Sequence, residues 1–530
     1  MGVLQHRLIS MILSWIVAGP AAGQTVPSRE PARPALIVFI TVDQLRPDYF
    51  ERYADQLTGG LHRLWTGGAV FTRGYQDHAN TETAPGHAST LSGRFPRSTG
   101  IVMNSAGVQD PQHPLVGTPG PGASPFRFRG TTLIDWMRTA DQDSRALSVS
   151  RKDRGAILPL GRAHQPVFWW APEGIFTSST FYGDTLPDWV GRFNARRTPQ
   201  RMAGAAWTLL LDAGEYPEPD TVIVENQGRG NVFPHRLPND SAMAGRAFAA
   251  FPWLDSLTLD FALEGVTELG LGDGGAPDLL AVSLSTTDAV GHAFGPDSRE
   301  LHDQVLRLDR YLGAFIDSLY ELRDSSTIAF ALTADHGVAP FPAVHAGRNG
   351  NAADLFVDLR PAVAGLRTML IDAGLDSSAA EVRDGMLFIH LPAFEGNRVG
   401  ADSIVRGFAA MARRIPGVLR VDIVSGLAAK DTTNDAIARR WYHMLPADLP
   451  VEAVVTLEPY HVGTGVTYAQ HGSPHDYDAH VPIIFYGPFF AAGYHDTFVR
   501  VVDMAPTLAR IARIAPTEAL DGHVLSEAIR

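Results

Sequence analysis

The hydrophobic pattern of the chain consists of short apolar runs that end in polar or acidic residues. Such runs occupy residues 35–42, 146–150, 277–285 and 327–333. Uninterrupted runs of this length are typical of parallel strands that are buried on both faces. Ligands of open α/β sheets bind at the carboxyl ends of the strands, so the residues that follow these runs are candidate site residues.

The segments between the runs predict helices and further strands. Residues 59–66, 84–91 and 301–322 predict helices, and residues 69–72 and 481–486 predict short strands. This alternation predicts an α/β fold. Residues 186–273 contain many prolines and glycines, which predicts a loop-rich insertion over one end of the sheet, and residues 361–454 predict a smaller α+β lobe.

The start of the chain is typical of a secretory signal. Residues 1–23 combine a basic start, a short apolar core and small residues at a predicted cleavage point, and a Pro-rich linker follows at 24–34. The alternative is an uncleaved membrane anchor, although the apolar core is short for a membrane span. We expect cleavage, no membrane span in the mature protein, a periplasmic or secreted location, and a catalytic domain over residues 35–530.

Composition narrows the classes of function. The net charge of −13 and the lack of clustered Lys and Arg argue against a nucleic-acid-binding surface. The chain has no cysteine, which excludes disulfides, thiolate metal ligands and a cysteine nucleophile. We expect a monomer whose partners are small substrates.

Thr83 is the candidate nucleophile. It precedes the predicted helix 84–91, where free backbone N–H groups and the positive end of the helix dipole favour an anion such as phosphate. The simpler interpretation is an N-cap threonine, which Pro85 in the first turn supports.

Acidic and histidine residues follow several predicted strands. Asp43 follows the run 35–42, and Asp335 and His336 follow the run 327–333. Asp288 and His292 are four residues apart, so that on a helical turn both side chains share one face. One of three later histidines could complete a metal site: His471, His475 and His480. Imidazole and carboxylate ligands without sulfur predict two Zn²⁺ ions.

Three further polar residues are candidate phosphate ligands. Lys152 and Arg154 stand two apart after the run 146–150, so in an extended segment they would point the same way and grip a dianion. The alternative is a solvated basic turn partly neutralised by Asp153. Asn104 offers an amide after a brief apolar segment, although asparagine is also a common turn residue.

Together these residues predict phosphoryl transfer. Two metal ions about 4 Å apart can stabilise both the attacking and the leaving oxygen of an in-line displacement at phosphorus. Thr83 would attack as an alkoxide and form a phosphothreonine, which a metal-bound hydroxide would later cleave.

Six motifs carry a resemblance to a known family: T-A-P-G-H-A-S, G-I-V-x-N, K-D-R-G-A-I-L-P, T-D-x-x-G-H, A-D-H-G and H-G-S-x-x-x-Y-D-x-H-V-P. They resemble the alkaline phosphatase superfamily, and within it the zinc-dependent alkaline phosphatases of the PafA type, whose nucleophile is a threonine. The resemblance implies a three-layer α/β/α sandwich with a mostly parallel central sheet and inserted cap segments.

The same resemblance assigns ligands. It implies that Asp288, His292 and His471 hold one zinc ion, and that the second is held by Asp43, Thr83, Asp335 and His336. It gives the phosphoryl oxygens to Asn104, Lys152 and Arg154, a trio that resembles the signature of monoesterases. The function implied is that of an alkaline phosphatase, a phosphate monoester hydrolase.

Three alternatives stay open. A phosphodiesterase or nucleotide pyrophosphatase could use the same dizinc core. A sulfatase fits less well, because those enzymes modify a cysteine or serine at the position of Thr83. A secreted metal- or phosphate-binding protein without turnover would have no need of an ionisable threonine.

Overall fold

The computed structural model describes residues 33–349 and 352–530. The predicted signal peptide 1–23 and residues 24–32 of the predicted linker lie outside the described residues. No helix in the described ranges combines the length and the apolar character needed to cross a membrane.

The strands are numbered in chain order. They are β1 Leu36–Val42, β2 Ala69–Tyr75, β3 Ala146–Ser150, β4 Val167–Ala171, β5 Ile175–Thr177, β6 Ala206–Trp207, β7 His235–Arg236, β8 Asp278–Leu284, β9 Ile328–Thr333, β10 Phe356–Val357, β11 Ala380–Arg383, β12 Met386–Ile389, β13 Val418–Ile423, β14 Val451–Leu457, β15 Val462–Gly463, β16 Ile483–Tyr486 and β17 Gly493–Arg500.

The α-helices follow the same convention. They are α1 Asp48–Arg52, α2 Gly60–Gly67, α3 Thr83–Thr90, α4 Pro96–Thr99, α5 Leu133–Ala140, α6 Asp153–Ile157, α7 Asp188–Ala195, α8 Thr198–Arg201, α9 Ser241–Ala247, α10 Trp253–Glu268, α11 Thr286–Phe294, α12 Arg299–Leu322, α13 Pro342–Asn349, α14 Arg360–Asp372, α15 Ala401–Ala412, α16 Ala436–Met444, α17 Asp476–Ala479 and α18 Met504–Ala512.

Within the described residues, nine strands form one sheet in the order β17-β2-β16-β9-β1-β8-β3-β4-β5. Strand β1 pairs in parallel with β8 and β9, and β3 pairs in parallel with β8 and β4. Strand β16 is antiparallel to β2 and β9, and β5 is antiparallel to β4. The sheet is therefore mostly parallel, as predicted.

The central strands align their carboxyl ends at one edge of the sheet. Thr41 of β1 pairs with Ser283 of β8 and with Thr333 of β9. Every residue of β1 is buried, which explains the uninterrupted apolar run. The residues that follow β1, β8 and β9 consequently leave the sheet side by side.

The segment 186–273 differs from the loop-rich prediction. It contains α10, a helix of 16 residues that packs against β3 and β8 and so belongs to a helical layer of the sheet. Its apolar residues lie on several sides of the helix, which hides the amphipathic pattern. The aromatic residues Phe168, Trp169 and Trp170 in β4 are buried, so they pack in the core.

A second, four-stranded sheet lies between residues 380 and 457, in the order β11-β12-β14-β13. Helices α14 and α15 cover it and share a separate apolar core with it. A further cluster joins Met386 and Trp441 of this region to Val102 and Met103, which lie just before Asn104. The second sheet is thereby packed close to the candidate phosphate ligands.

Candidate active site

Thr83 is the first residue of α3, and Glu82 occupies the N-cap position without a side-chain capping bond. Thr83 is buried, so its hydroxyl lies in the interior at the amino end of the helix. His87 holds this helix in place: its Nδ1 lies 2.9 Å from the Thr83 carbonyl oxygen, and its Nε2 lies 2.8 Å from Ser283 Oγ. A Cβ on Gly86 would lie 2.4 Å from the Asp335 carbonyl oxygen, so only glycine permits this approach to the end of β9.

The first group of donor atoms comes from α11 and from the segment after β15. His292 Nε2 lies 3.2 Å from Asp288 Oδ1, and His471 Nε2 lies 3.2 Å from His292 Nε2 and 3.8 Å from Asp288 Oδ1. The second ring nitrogen of each histidine, Nδ1, bonds to a backbone carbonyl oxygen. The partner is Ala469 O for His292 and Thr81 O for His471. Histidines that bind metals typically have such a partner on the second nitrogen, and this partner fixes the orientation of the ring.

The second group comes from the ends of β1 and β9. His336 Nε2 lies 3.4 Å from Asp43 Oδ1 and 3.6 Å from Asp335 Oδ2. All three residues are fully buried. The rings of His336 and His471 stack with centroids 3.6 Å apart, so the two groups adjoin each other.

These donors fit zinc ions. Donor atoms around a tetrahedral ion with bonds of about 2.0 Å are separated by about 3.3 Å, close to the spacing in both groups. Asp43 Oδ1 and His336 Nε2 are buried and have no hydrogen-bond partner among the described residues. Grouped by distance alone, Asp288, His336 and His471 form one candidate set and Asp43, Asp335 and His336 another, so His336 borders both.

The charges at the site are unbalanced. Burial, followed by the charges of Asp288 and Asp335, raises the pKa of Asp43. Burial also acts to raise the pKa of Asp288, but the charges of Lys152 and then His292 outweigh it and hold this pKa well below its usual range. The pKa of His471 is well below its usual range because the ring is buried. A single ammonium among three buried carboxylates leaves an excess negative charge that favours further cations.

Lys152 points into the site. Its Nζ lies 2.6 Å from Asp43 Oδ2, 2.7 Å from Asp288 Oδ2 and 3.1 Å from Thr83 Oγ1. The expectation that Lys152 and Arg154 share an extended segment was wrong, because Lys152 is the N-cap of α6 and Arg154 lies within that helix. Arg154 Nη1 is 3.6 Å from Asp153 Oδ1.

Asn104 lies beside the start of α3. Its Oδ1 accepts a hydrogen bond from the Ala84 N–H at 2.8 Å, and its own N–H donates to Glu82 Oε2 at 2.6 Å. Both bonds orient the amide next to Thr83. The remaining histidines of the C-terminal motif serve elsewhere: His475 Nε2 bonds to Leu457 O and His480 Nε2 to Thr72 O.

Sequence reasoning missed Gln44. Its backbone N–H donates to Asp335 Oδ1 and its side-chain Nε2 donates to Asp288 Oδ1, both at 3.1 Å. It is buried, and its φ of 68° lies in the left-handed region that favours glycine. The only signal in the sequence is its position directly after Asp43.

Comparisons with known proteins show which family and which fold the chain shares. The family model described as type I phosphodiesterase / nucleotide pyrophosphatase matches residues 37–369. The chain is 30% identical to alkaline phosphatase PhoV of Synechococcus elongatus, over 94% of each chain. It is also 30% identical to alkaline phosphatase PhoK of a Sphingomonas species, over 93% of this chain and 91% of the relative. The crystal structure of alkaline phosphatase PafA superposes with a TM-score of 0.85 at 25% identity, covering 94% of this chain and 99% of PafA.

Proposed function

The chain belongs to the type I phosphodiesterase / nucleotide pyrophosphatase family, within the alkaline phosphatase superfamily, and from this premise we propose that it hydrolyses phosphate monoesters at a dizinc site. The enzyme is a phosphatase with the alkaline-phosphatase-like α/β fold of PafA. We propose the substrate class, the metal and the role of each residue.

One observation carries the choice of monoesters: the Lys152 ammonium lies 3.1 Å from the Thr83 hydroxyl. A monoester has one more unesterified oxygen and one more negative charge than a diester. A buried cation beside the nucleophile therefore favours the monoester, because a charge-assisted hydrogen bond stabilises the additional oxygen. Asn104, oriented by Ala84, supplies a second donor at the same place.

The metal ligands follow from the two donor groups. We assign Asp288, His292 and His471 to one zinc ion, and the second to Asp43, Asp335, His336 and Thr83. When bound, zinc supplies Lewis acidity to the Thr83 oxygen and to the leaving oxygen.

The chain's own residues perform the displacement. The Thr83 oxygen attacks phosphorus, the bond from phosphorus to the leaving oxygen breaks, and the alcohol departs with a proton. Water then cleaves the phosphothreonine, which returns the hydroxyl to Thr83 and releases inorganic phosphate. Lys152, Arg154 and Asn104 hold the phosphoryl oxygens in both steps, and His87 keeps α3 aligned with the end of β8.

The alternative is a phosphodiesterase on the same core. The description of the matched family model favours it. A secreted binding protein without turnover is a weaker alternative, because Thr83 lies beside Lys152 at the amino end of a helix, where a nucleophile is useful.

The test compares initial rates on p-nitrophenyl phosphate and its methyl diester at pH about 8 to 9 with zinc. We expect the wild type to prefer the monoester strongly. In a Lys152→Ala, Arg154→Ala double variant that preference falls by about two orders of magnitude, since each hydrogen bond to a charged group contributes about 1.5–3 kcal/mol. Arg360→Ala is the control, because that side chain is 82% exposed. Faster hydrolysis of the diester by the wild type would contradict the proposal.

The remaining parts of the proposal concern the whole chain. We propose export after removal of residues 1–23, a monomeric enzyme, and a catalytic domain over 35–530 that carries the insertion 186–273 and the lobe 361–454. N-terminal sequencing of the mature protein tests the first point, and light scattering tests the second.

A further inference from the structure

A cavity of about 350 Å³ lies beside the candidate active site. It is bounded on one side by the turn between β11 and β12, at Asp384 and Gly385, and on the other by the segment from β14 to α17. His471 and Gly472 also line it. The cavity therefore shares His471 with one of the two donor groups.

Gly472 connects the cavity to the loop that carries Thr83. Its φ of 106° requires a backbone conformation that favours glycine. A Cβ placed there would lie 3.4 Å from Asn80 Oδ1 and 3.9 Å from Glu82 Cγ. Glu82 directly precedes Thr83, so the cavity begins next to the nucleophile loop.

The cavity has an aromatic wall. Tyr460 and Tyr477 both line it, and their rings stack with centroids 4.6 Å apart; the ring of His345 also stacks with that of Tyr460, with centroids 4.0 Å apart. The Tyr460 N–H donates to Tyr477 Oη at 3.1 Å. Tyr460 has a φ of 64°, a strained value for a bulky residue, and such strain is concentrated at functional sites.

The position of the cavity matches the direction of the leaving group. In the proposed assignment, Asp43, Asp335 and His336 would hold a zinc ion together with Thr83. An in-line displacement places the leaving oxygen on the opposite side of phosphorus, toward the other donor group. Because His471 belongs to that group and also lines the cavity, an alcohol attached to the leaving oxygen would extend along the aromatic wall.

We propose that this cavity is a subsite for the alcohol part of the substrate, and that it selects phosphomonoesters of aromatic alcohols over those of small aliphatic alcohols. The inference rests on the proposed monoesterase function. It assigns to Tyr460 a role in substrate selection, acting through contact with the leaving group while Thr83 and Lys152 act on the phosphoryl group.

The test uses benzyl phosphate and methyl phosphate, whose leaving alcohols have similar acidity but differ in the aromatic ring. The zinc-loaded wild type, Tyr460→Gly and Tyr460→Asn are compared by kcat/KM. Glycine and asparagine both tolerate the left-handed conformation, so the ring is removed without new backbone strain. Tyr494→Ala is the control, since that tyrosine lies on β17 and is 59% exposed.

We expect both Tyr460 variants to lose about tenfold in kcat/KM for benzyl phosphate and less than about twofold for methyl phosphate. The inhibition constant of inorganic phosphate, which has no alcohol part, stays within about twofold. Equal losses on the two esters, or no loss on benzyl phosphate, would contradict the subsite proposal. In that case, monoesterase activity of the wild type would still support the proposed function. A wild type that hydrolyses neither monoester overturns both.

Discussion

The side-chain amide of Gln44 donates a hydrogen bond to Asp288 across 3.1 Å, and its backbone N–H donates to Asp335. One residue thus joins a carboxylate of each donor group. It also packs against α11, because a Cβ on Gly291 would lie 1.8 Å from Gln44 Oε1. Gln44 therefore sets the spacing between the two groups without being a ligand itself.

Replacement of Gln44 by alanine is expected to weaken zinc binding by about 10- to 100-fold, as for other partners of metal ligands. The measurement is zinc competition with a chromophoric chelator. Gln44→Gly is the matched control, because it removes the same amide but relieves the positive φ. Recovery of zinc affinity in the glycine variant would show that backbone strain, and not the hydrogen bond, caused the loss.

Replacement of Thr83 by alanine is expected to keep the fold and the zinc content but to lower kcat by several orders of magnitude, because the nucleophile is absent. Kinetics on p-nitrophenyl phosphate, together with metal analysis, check this. Thr83→Ser keeps a hydroxyl and should retain measurable turnover. Near-normal activity of Thr83→Ala would refute the assignment of the nucleophile.

Chelation is expected to abolish activity, and added zinc to restore it, because three buried carboxylates cannot hold a phosphate dianion without neutralising cations. The enzyme is dialysed against a chelator and assayed after addition of single metals. Restoration by calcium or magnesium alone would count against a dizinc site.

Asp77 is expected to make stability depend on pH. This buried carboxylate lies 2.9 Å from Arg439 Nε of α16 and 2.9 Å from Arg500 Nε at the end of β17. Burial acts to raise its pKa, but hydrogen bonds from His443 and Arg439 outweigh that effect and hold the pKa far below its usual range. A lowered folded-state pKa stabilises the protein above the unfolded value of about 3.9, and the contribution is lost as the pH falls below it.

Asp77→Asn should therefore lower the free energy of unfolding by about 3–5 kcal/mol at pH 7, as for other broken buried ion pairs. The difference from wild type should shrink below pH about 4, because there the Asp77 carboxylate of the unfolded wild-type chain takes up a proton while that of the folded protein stays charged. Urea unfolding at several pH values measures it. Asp317→Asn is the control, since that side chain is 63% exposed. A difference that is constant with pH would argue against an ionic origin.

The central sheet and every carboxylate and histidine of the two donor groups except His471 could be predicted from the sequence. Asp43, Asp288 and Asp335 follow buried strands whose pattern is unambiguous, so their convergence follows from parallel pairing. His471 lies in an irregular segment after β15, where no periodicity indicates direction, and only the family resemblance selected it. The sequence alone does not distinguish His471 from His475 and His480. The structure does, because the Nε2 atoms of His475 and His480 bond to the backbone carbonyl groups of Leu457 and Thr72.

The side-chain directions of Lys152 and Arg154 depend on where α6 begins, and the pattern of hydrophobic and polar residues does not predict that position. Helix α6 has five residues, too short for a helical period to be recognised. Whether residue 154 lies in a strand extension or in a helix decides where its guanidinium points. Gln44 could not be identified for a similar reason. Its contacts depend on a backbone φ of 68°, which the neighbouring residues in the sequence do not predict.

Strand β16 lies between β2 and β9, near the middle of the sheet, although it is formed by residues 483–486. His471 precedes the first residue of β16 by 12 positions. A chain emerging from the ribosome therefore contains Thr83 early but cannot complete its sheet or its donor groups until synthesis is nearly finished. Activity therefore requires that almost the whole chain has been synthesised, although the proposed nucleophile lies near its beginning.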